Sequence, residues 1–292
     1  MRVQLFAVTP GGPLPLPVPD GVKSAHELFD GLPLGVYSAL RTFDHERFLG
    51  LELHLDRTDR SLELLGWPER LDRPALRRAL DACVRAYPGP DAFVRFDRLA
   101  APPLALGTQE RTLLALSPLV PVPEPFLREG VGVGISPLRR ARPLIKVASF
   151  VVERRPYPLG SQEAFEHLIV DERGRILEGT SSNFIGLEGR RLRLAGEEAL
   201  QGVTQRVVAG LARELGLEVL REPLARAELA SLDEAFLTGS TRGVVPVVAV
   251  EGQPIAAGRP GPWTRRLAEA YLAHAHAHAR RALEPEPRAT PA

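Results

Sequence analysis

Cysteine is nearly missing from this sequence. Cys83 is the only one in 292 residues, so neither an intramolecular disulfide nor a metal site built on cysteine ligands can form. No apolar run reaches the roughly 18 residues that a membrane-spanning helix needs. The first ten residues lack the basic-then-apolar order of a secretion signal, and a cytoplasmic protein is the expectation. An excess of one charge is missing too. With 37 basic and 36 acidic residues the net charge is +1, which offers no reason to expect nucleic acid or a membrane surface as partner. Arginine far outnumbers lysine, a bias we attribute to coding composition and not to a functional patch. No internal repeat is visible.

What is present is ordinary globular composition, 44% hydrophobic and 25% charged. Apolar residues from Gly35 to Phe48 flank a polar turn at Asp44, His45 and Glu46, which predicts a hairpin. Leu51 to Leu65 has helical spacing through Leu55 and Leu62 and is closed by Gly66. Pro68 to Tyr87 predicts a second amphipathic helix, and strands are predicted at 93–96 and 112–116. The second half predicts strands at 131–135 and 165–170, a turn at Asp171–Gly174, and more strand at 176–177 and 184–187. A helix from Thr204 to Leu215 is closed by Gly216. A strand at 219–220, a short helix at 224–232, strands at 235–238 and 244–250, and a helix from Pro262 to about 279 complete the pattern. The proline-rich stretch 118–128 predicts an extended linker between an N-terminal α/β domain, 1–117, and a C-terminal domain, 129–282. Residues 283–292, rich in Pro, Glu and Ala, predict a disordered tail.

Several residues could carry chemistry, and each also has a plainer reading. Lys146 follows the apolar triplet Pro-Leu-Ile. Burial makes an amine easier to deprotonate and a better nucleophile, although the side chain could equally reach out from a strand edge. Gly202-Val203-Thr204 opens a helix, whose unpaired amides suit an anion; the plainer reading is a cap by Thr204. Thr238-Gly239-Ser240-Thr241 places two hydroxyls after a glycine, suited to phosphate or to a simple polar turn. His54 and Arg57 share a helix face, where Arg57 could bind phosphate or be merely solvated. Glu178 could keep a pyridine nitrogen protonated or lie in a surface loop, and Asn183 could brace that loop through its side chain. His274, His276 and His278 do not converge on a helix and read as a solvated helix end, so no metal is expected. The pair Arg139-Arg140 carries no special reading.

In order and spacing these strings resemble the fold-type IV pyridoxal 5′-phosphate (PLP) family of branched-chain aminotransferases, D-amino acid aminotransferases and aminodeoxychorismate lyases. The likeness covers about residues 33–272. It is carried by Glu178-Gly-Thr-Ser-Ser-Asn-Phe, Gln201-Gly-Val-Thr-Gln-Arg, Asp233-Glu-Ala-Phe-Leu-Thr-Gly-Ser-Thr and Gly261-Pro-Trp-Thr. The resemblance implies a mixed α/β, two-domain enzyme with its active site in the cleft between domains, and a homodimer. It implies that Lys146 bonds covalently to PLP and shuttles a proton, and that Glu178 pairs with the ring nitrogen. Arg57, Val203, Thr204, Ser240 and Thr241 are the implied phosphate contacts, and Tyr37 and Arg95 lie near the substrate.

Three strings depart from the family pattern. Tyr37-Ser38 stands where a Phe-Glu pair is usual. Phe150-Val151-Val152 lacks a tyrosine common after the lysine. Arg95 is followed by Phe96-Asp97-Arg98-Leu99 and not by a Thr-Arg-Gly ending. The expected activity is transamination of an aliphatic, branched-chain amino acid with 2-oxoglutarate. Aminodeoxychorismate lyase, D-amino acid aminotransferase and a catalytically silent PLP-binding protein are the alternatives.

Overall fold

A computed structural model of the chain describes residues 2–157, 159–162 and 164–285. Its contacts form two units. The first holds 2–120, 145–152 and 275–285; the second holds 121–144 and the described part of 153–274.

In the first unit, β1 (Gln4–Thr9), β2 (Gly12–Leu16), β3 (Gly35–Arg41), β5 (Ala92–Leu99) and β6 (Thr112–Pro118) form an antiparallel sheet in the order β2-β1-β6-β5-β3. Helices α1 (Leu51–Leu64) and α2 (Arg73–Ala86) cover one face. There Val36, Leu40, Val94, Phe96 and Leu116 pack against Leu55, Leu62, Leu76 and Leu80. Leu5, Ala7, Leu99 and Leu113 on the other face pack with Leu28 and Phe29. Both faces are covered, which is why β6 reads as an uninterrupted apolar run. The end of α1 is closed as predicted, by Gly66 at φ +73°. Helix α2 starts later than its apolar spacing predicts. The Asp72 carboxylate accepts the Ala75 amide at 2.9 Å and Pro74 sits in the first turn, so the cap and not the periodicity sets the start.

The hairpin predicted at 35–48 is corrected. Asp44 and His45 do form a tight turn with positive φ, closed by a Phe43–Arg47 bridge. The long partner of β3 is nevertheless β5, while β4 (Arg47–Phe48) pairs with Arg280–Arg281. The predicted domain limits are corrected as well. Ile145 is buried in the core formed by Val36, Leu40 and Leu55, and the lysine segment, leading into α4 (Ser149–Glu153), is hydrogen-bonded to β3. Ala275 and Ala279 pack on Phe43, and Ala282 joins the α1–α2 core. Lys146 and residues 275–282 therefore belong with the first unit. Of the predicted tail, 286–292 lie outside the described residues.

The second unit carries a mixed sheet. It comprises β7 (Val131–Ser136), β8 (Glu166–Val170), β9 (Arg175–Gly179), β10 (Asn183–Glu188), β11 (Arg191–Leu194), β12 (Glu218–Arg221), β13 (Leu224–Ala225), β14 (Glu234–Gly239) and β15 (Gly243–Val250). Their order is β12-β11-β10-β14-β15-β7-β8-β9-β13, with β16 (Gln253–Pro254) on β15. Part of the predicted linker is a helix, α3 (Glu124–Glu129), because Pro125 suits a first helical turn and Phe126 packs edge-on against Phe165 at 6.0 Å. The short helix predicted at 224–232 is β13 followed by a 3₁₀ turn. Helix α5 (Val203–Glu214) follows Gly202. Helix α6 (Pro262–His278) begins where Glu234 accepts the amides of Trp263 and Thr264 at 3.0 and 2.6 Å. Gly261 is required there, since a β-carbon would lie 2.1 Å from the Glu234 carboxyl carbon. Among the described residues, no helix is long and apolar enough to cross a membrane, and no group of His, Cys, Asp or Glu could hold a metal ion.

Candidate active site

Lys146 is held at the edge of β3. The Tyr37 amide donates to the Lys146 carbonyl at 3.0 Å, the Ala148 amide donates to the Gly35 carbonyl at 2.8 Å, and Val147 bridges Val36. Lys146 is half-buried, with its Nζ 4.7 Å from the centre of the Tyr37 ring. Sheet alternation then sorts the neighbours onto two faces. On the helix face, Arg57 Nη2 donates to Ser38 Oγ at 3.1 Å and to His54 Nδ1 at 3.3 Å. A guanidinium can only donate, so His54 accepts through Nδ1 and is neutral. Burial, with Arg57 and Lys146 nearby, holds its pKa well below the usual histidine value. Thr58 Oγ1 donates to the His54 carbonyl, which leaves the Ser38 hydroxyl to donate to Thr58 at 3.3 Å. Ser38, one of the departures, thus gives Arg57 a neutral oxygen.

On the opposite face lies Arg95, 1% exposed. Its Nε and Nη2 both donate to the Asp97 carboxylate at 2.7 Å, and its Nη1 meets His26 Nδ1 at 2.9 Å. The guanidinium stacks 4.0 Å from the Phe29 ring centre and 4.5 Å from that of Tyr37. The fork that the resemblance assigns to the substrate neighbourhood is held by a carboxylate of its own strand. Arg95 therefore acts on Tyr37, and Tyr37 stands beside the lysine.

In the second unit Glu178, 3% exposed, lies near the end of β9. Its Oε1 accepts from Arg140 Nε at 2.7 Å, and its Oε2 accepts from the Leu200 amide at 3.4 Å. The surface-loop reading fails; this is a buried ion pair. Asn183 braces the same loop, as its residue type suggests, by donating from Nδ2 to the Leu200 carbonyl at 2.8 Å. A β-carbon on Gly202 would lie 1.9 Å from Asn183 Oδ1, so only glycine permits this approach. Gln205 Oε1 accepts the Gly202 amide at 3.3 Å. The helix start that follows holds Val203 and Thr204, both buried, with helix-start amides oriented for an anion. Ser240 and Thr241, half-buried, form the turn between β14 and β15.

The spacing did not reveal Glu166, which organises this half. Fully buried, it accepts from the hydroxyls of Thr180 (2.7 Å), Ser181 (2.5 Å) and Ser182 (3.0 Å), and Arg242 Nη2 approaches at 3.4 Å. Burial raises its pKa, but Arg242 and the hydroxyl donors outweigh burial and leave it below the usual glutamate value. Arg242 also bonds the Ser181 hydroxyl, so one ion pair joins the 180–182 loop to the Ser240–Thr241 turn. The three consecutive hydroxyls of Thr180–Ser182 were the available signal. Arg140 was also missed, because nothing local distinguishes it from Arg139.

The first unit thus supplies an amine beside an aromatic ring, with a permanently charged guanidinium. The second supplies a buried carboxylate and a helix start at Val203 and Thr204. A model of the class IV amino-transferase family matches residues 35–250, and the chain belongs to that family. A branched-chain-amino-acid aminotransferase of Pseudomonas aeruginosa is 27% identical over 272 residues, 85% of each chain. Among solved structures, a T.th. branched-chain amino acid aminotransferase with pyridoxamine 5′-phosphate is 23% identical. Its TM-score is 0.74, with 92% of each chain covered. A fold IV-transaminase from Curtobacterium pusillum is 22% identical with a TM-score of 0.73, covering 93% of this chain and 99% of its own. The fold is the one these structures share.

Proposed function

We propose that this enzyme uses PLP to move the amino group of an aliphatic, branched-chain amino acid to 2-oxoglutarate. The carrying observation is Glu178: a buried carboxylate fixed by Arg140, in the same unit as a helix start and two hydroxyl-bearing turns. Bound, the cofactor supplies an electron-poor ring that takes up the electron pair released at the substrate's α-carbon. The Lys146 amine would hold the cofactor's aldehyde carbon, and its Nζ would carry the proton taken from the substrate's α-carbon. Glu178 favours a proton on the ring nitrogen, because a neighbouring anion stabilises the cation. By the family resemblance, Arg57 would serve the phosphate through its guanidinium, and the Val203 and Thr204 amides and the hydroxyls of Thr204, Ser240 and Thr241 would serve it through their N–H and O–H donors. Tyr37 offers an aromatic face beside the amine, a surface suited to an aliphatic side chain, and Arg95 supports it from behind. The branched-chain preference is supported by relatives such as the Pseudomonas aeruginosa enzyme. The cosubstrate, a homodimeric state and a cytoplasmic location follow from the family resemblance and the composition.

The chain has only two lysines, Lys23 and Lys146, which makes the test clean. After incubation with PLP, borohydride reduction and peptide mapping should place the label on Lys146, and Lys146→Ala should carry none. A label on Lys23, or no label, would refute the assignment. Keto-acid release from L-leucine with 2-oxoglutarate is the expected activity. Formation of 4-aminobenzoate from aminodeoxychorismate, or turnover of D-alanine alone, would select the lyase or the D-amino acid reading. Light scattering should give twice the chain mass.

A further inference from the structure

We infer that Arg140 is a positioning residue that sets the charge and aim of Glu178 and, through it, how tightly the cofactor's ring nitrogen holds its proton. The inference rests on the role proposed above for Glu178. The two side chains meet at 2.7 Å while 8% and 4% exposed, so their interaction is little weakened by water. Both are anchored through their backbones. Glu178 sits in the β8–β9 ladder opposite Ile169, and the chain leaving β7 toward Arg140 is pinned where the Leu138 amide donates to Ser136 Oγ at 3.1 Å. Arg140 bonds Oε1 and the Leu200 amide bonds Oε2, so each carboxylate oxygen is held from a different segment of the chain.

Two opposed effects follow. Arg140 favours the ionised form of Glu178, and the ionised form is what a protonated ring nitrogen needs. The same positive charge, one hydrogen bond behind the carboxylate, repels a second cation. The ring nitrogen is therefore held protonated by an anion whose field is partly cancelled, and its proton is more easily lost than beside an unpaired glutamate. The ring's capacity as an electron sink is graded by a residue that acts on it only through Glu178.

Arg140→Gln and Arg140→Lys test this with two readouts. In the protein without cofactor, carbon-13 NMR of carboxyl-labelled glutamate follows the signal that disappears in Glu178→Gln. Its titration midpoint should rise in Arg140→Gln and return toward the parent value in Arg140→Lys. In the holoenzyme loaded with nitrogen-15 PLP, the ring-nitrogen midpoint should rise by about one to two pH units in Arg140→Gln and be restored in Arg140→Lys. Arg140→Met, of similar length, repeats the comparison should the glutamine variant not fold. Unchanged midpoints accompanied by a lower melting temperature would make Arg140 purely structural and overturn the inference. Failure of Lys146 to take the label would instead overturn the proposed function, while the cofactor-free titration would still decide whether Arg140 controls Glu178.

Discussion

Replacing Asp97 with asparagine isolates the charge of one buried group at nearly constant shape. Asp97 is 0% exposed and takes two 2.7 Å hydrogen bonds from Arg95, itself 1% exposed. Removing one partner of a buried ion pair leaves an uncompensated charge and costs about 3–5 kcal/mol. Taking about 2–4 °C per kcal/mol, the melting temperature should fall by roughly 6–20 °C. Guanidinium titration followed by circular dichroism and scanning calorimetry would measure both quantities. The double variant Arg95→Met/Asp97→Leu removes both charges and should recover most of the loss, because a well-packed apolar pair can replace a buried ion pair. Arg95 also stacks on Phe29 and Tyr37, and that contribution stays lost in the double variant. A single variant within about 1 kcal/mol of the parent would refute the reasoning, since it would mean that the pair is not desolvated. A double variant no more stable than the single would do the same.

His54 should make stability pH-dependent. Its folded-state pKa lies below the unfolded value of 6.5, so the unfolded chain binds more protons just below that pH. Stability should be full above pH 6.5 and fall as pH drops toward the folded-state value, by at most about 1.4 kcal/mol per pH unit. Urea midpoints from about pH 5 to 8 should show this limb in the parent and lose it in His54→Gln; an identical slope in the variant would exclude His54 as its source. Gly202→Ala should push Asn183 off the Leu200 carbonyl and loosen the helix start. PLP affinity, followed by fluorescence titration, should weaken by about 5-fold to 150-fold for a loss of about 1–3 kcal/mol. Unchanged affinity would show that this helix start does not hold the phosphate.

Local patterns carried much of the architecture. Leucines at helical spacing and the glycines after them marked α1 and α5, because a helix is specified by neighbours three and four residues apart and by its caps. Strand sites from 93 to 250 were legible from short apolar runs between turns. The order of the strings at 178–184, 201–206 and 233–241 pointed to the family and to Lys146 and Glu178. Pairing was not legible. A turn at Asp44–Glu46 states that the chain reverses, but β3 chose β5 as its partner, across both helices, and Arg47–Phe48 chose Arg280–Arg281. The unit that receives Lys146 was decided by Ile145 entering a core whose other members, such as Val36, Leu40 and Leu55, lie far earlier in the chain. Only the tertiary structure supplied the partners of the charged groups: Arg140 for Glu178, Asp97 for Arg95, and Arg242 with three hydroxyls for Glu166. Residue type declares that a side chain can ionise. Whether water, a ligand or another side chain answers that charge depends on which distant segments are brought within about 3 Å, and short-range spacing carries no record of that.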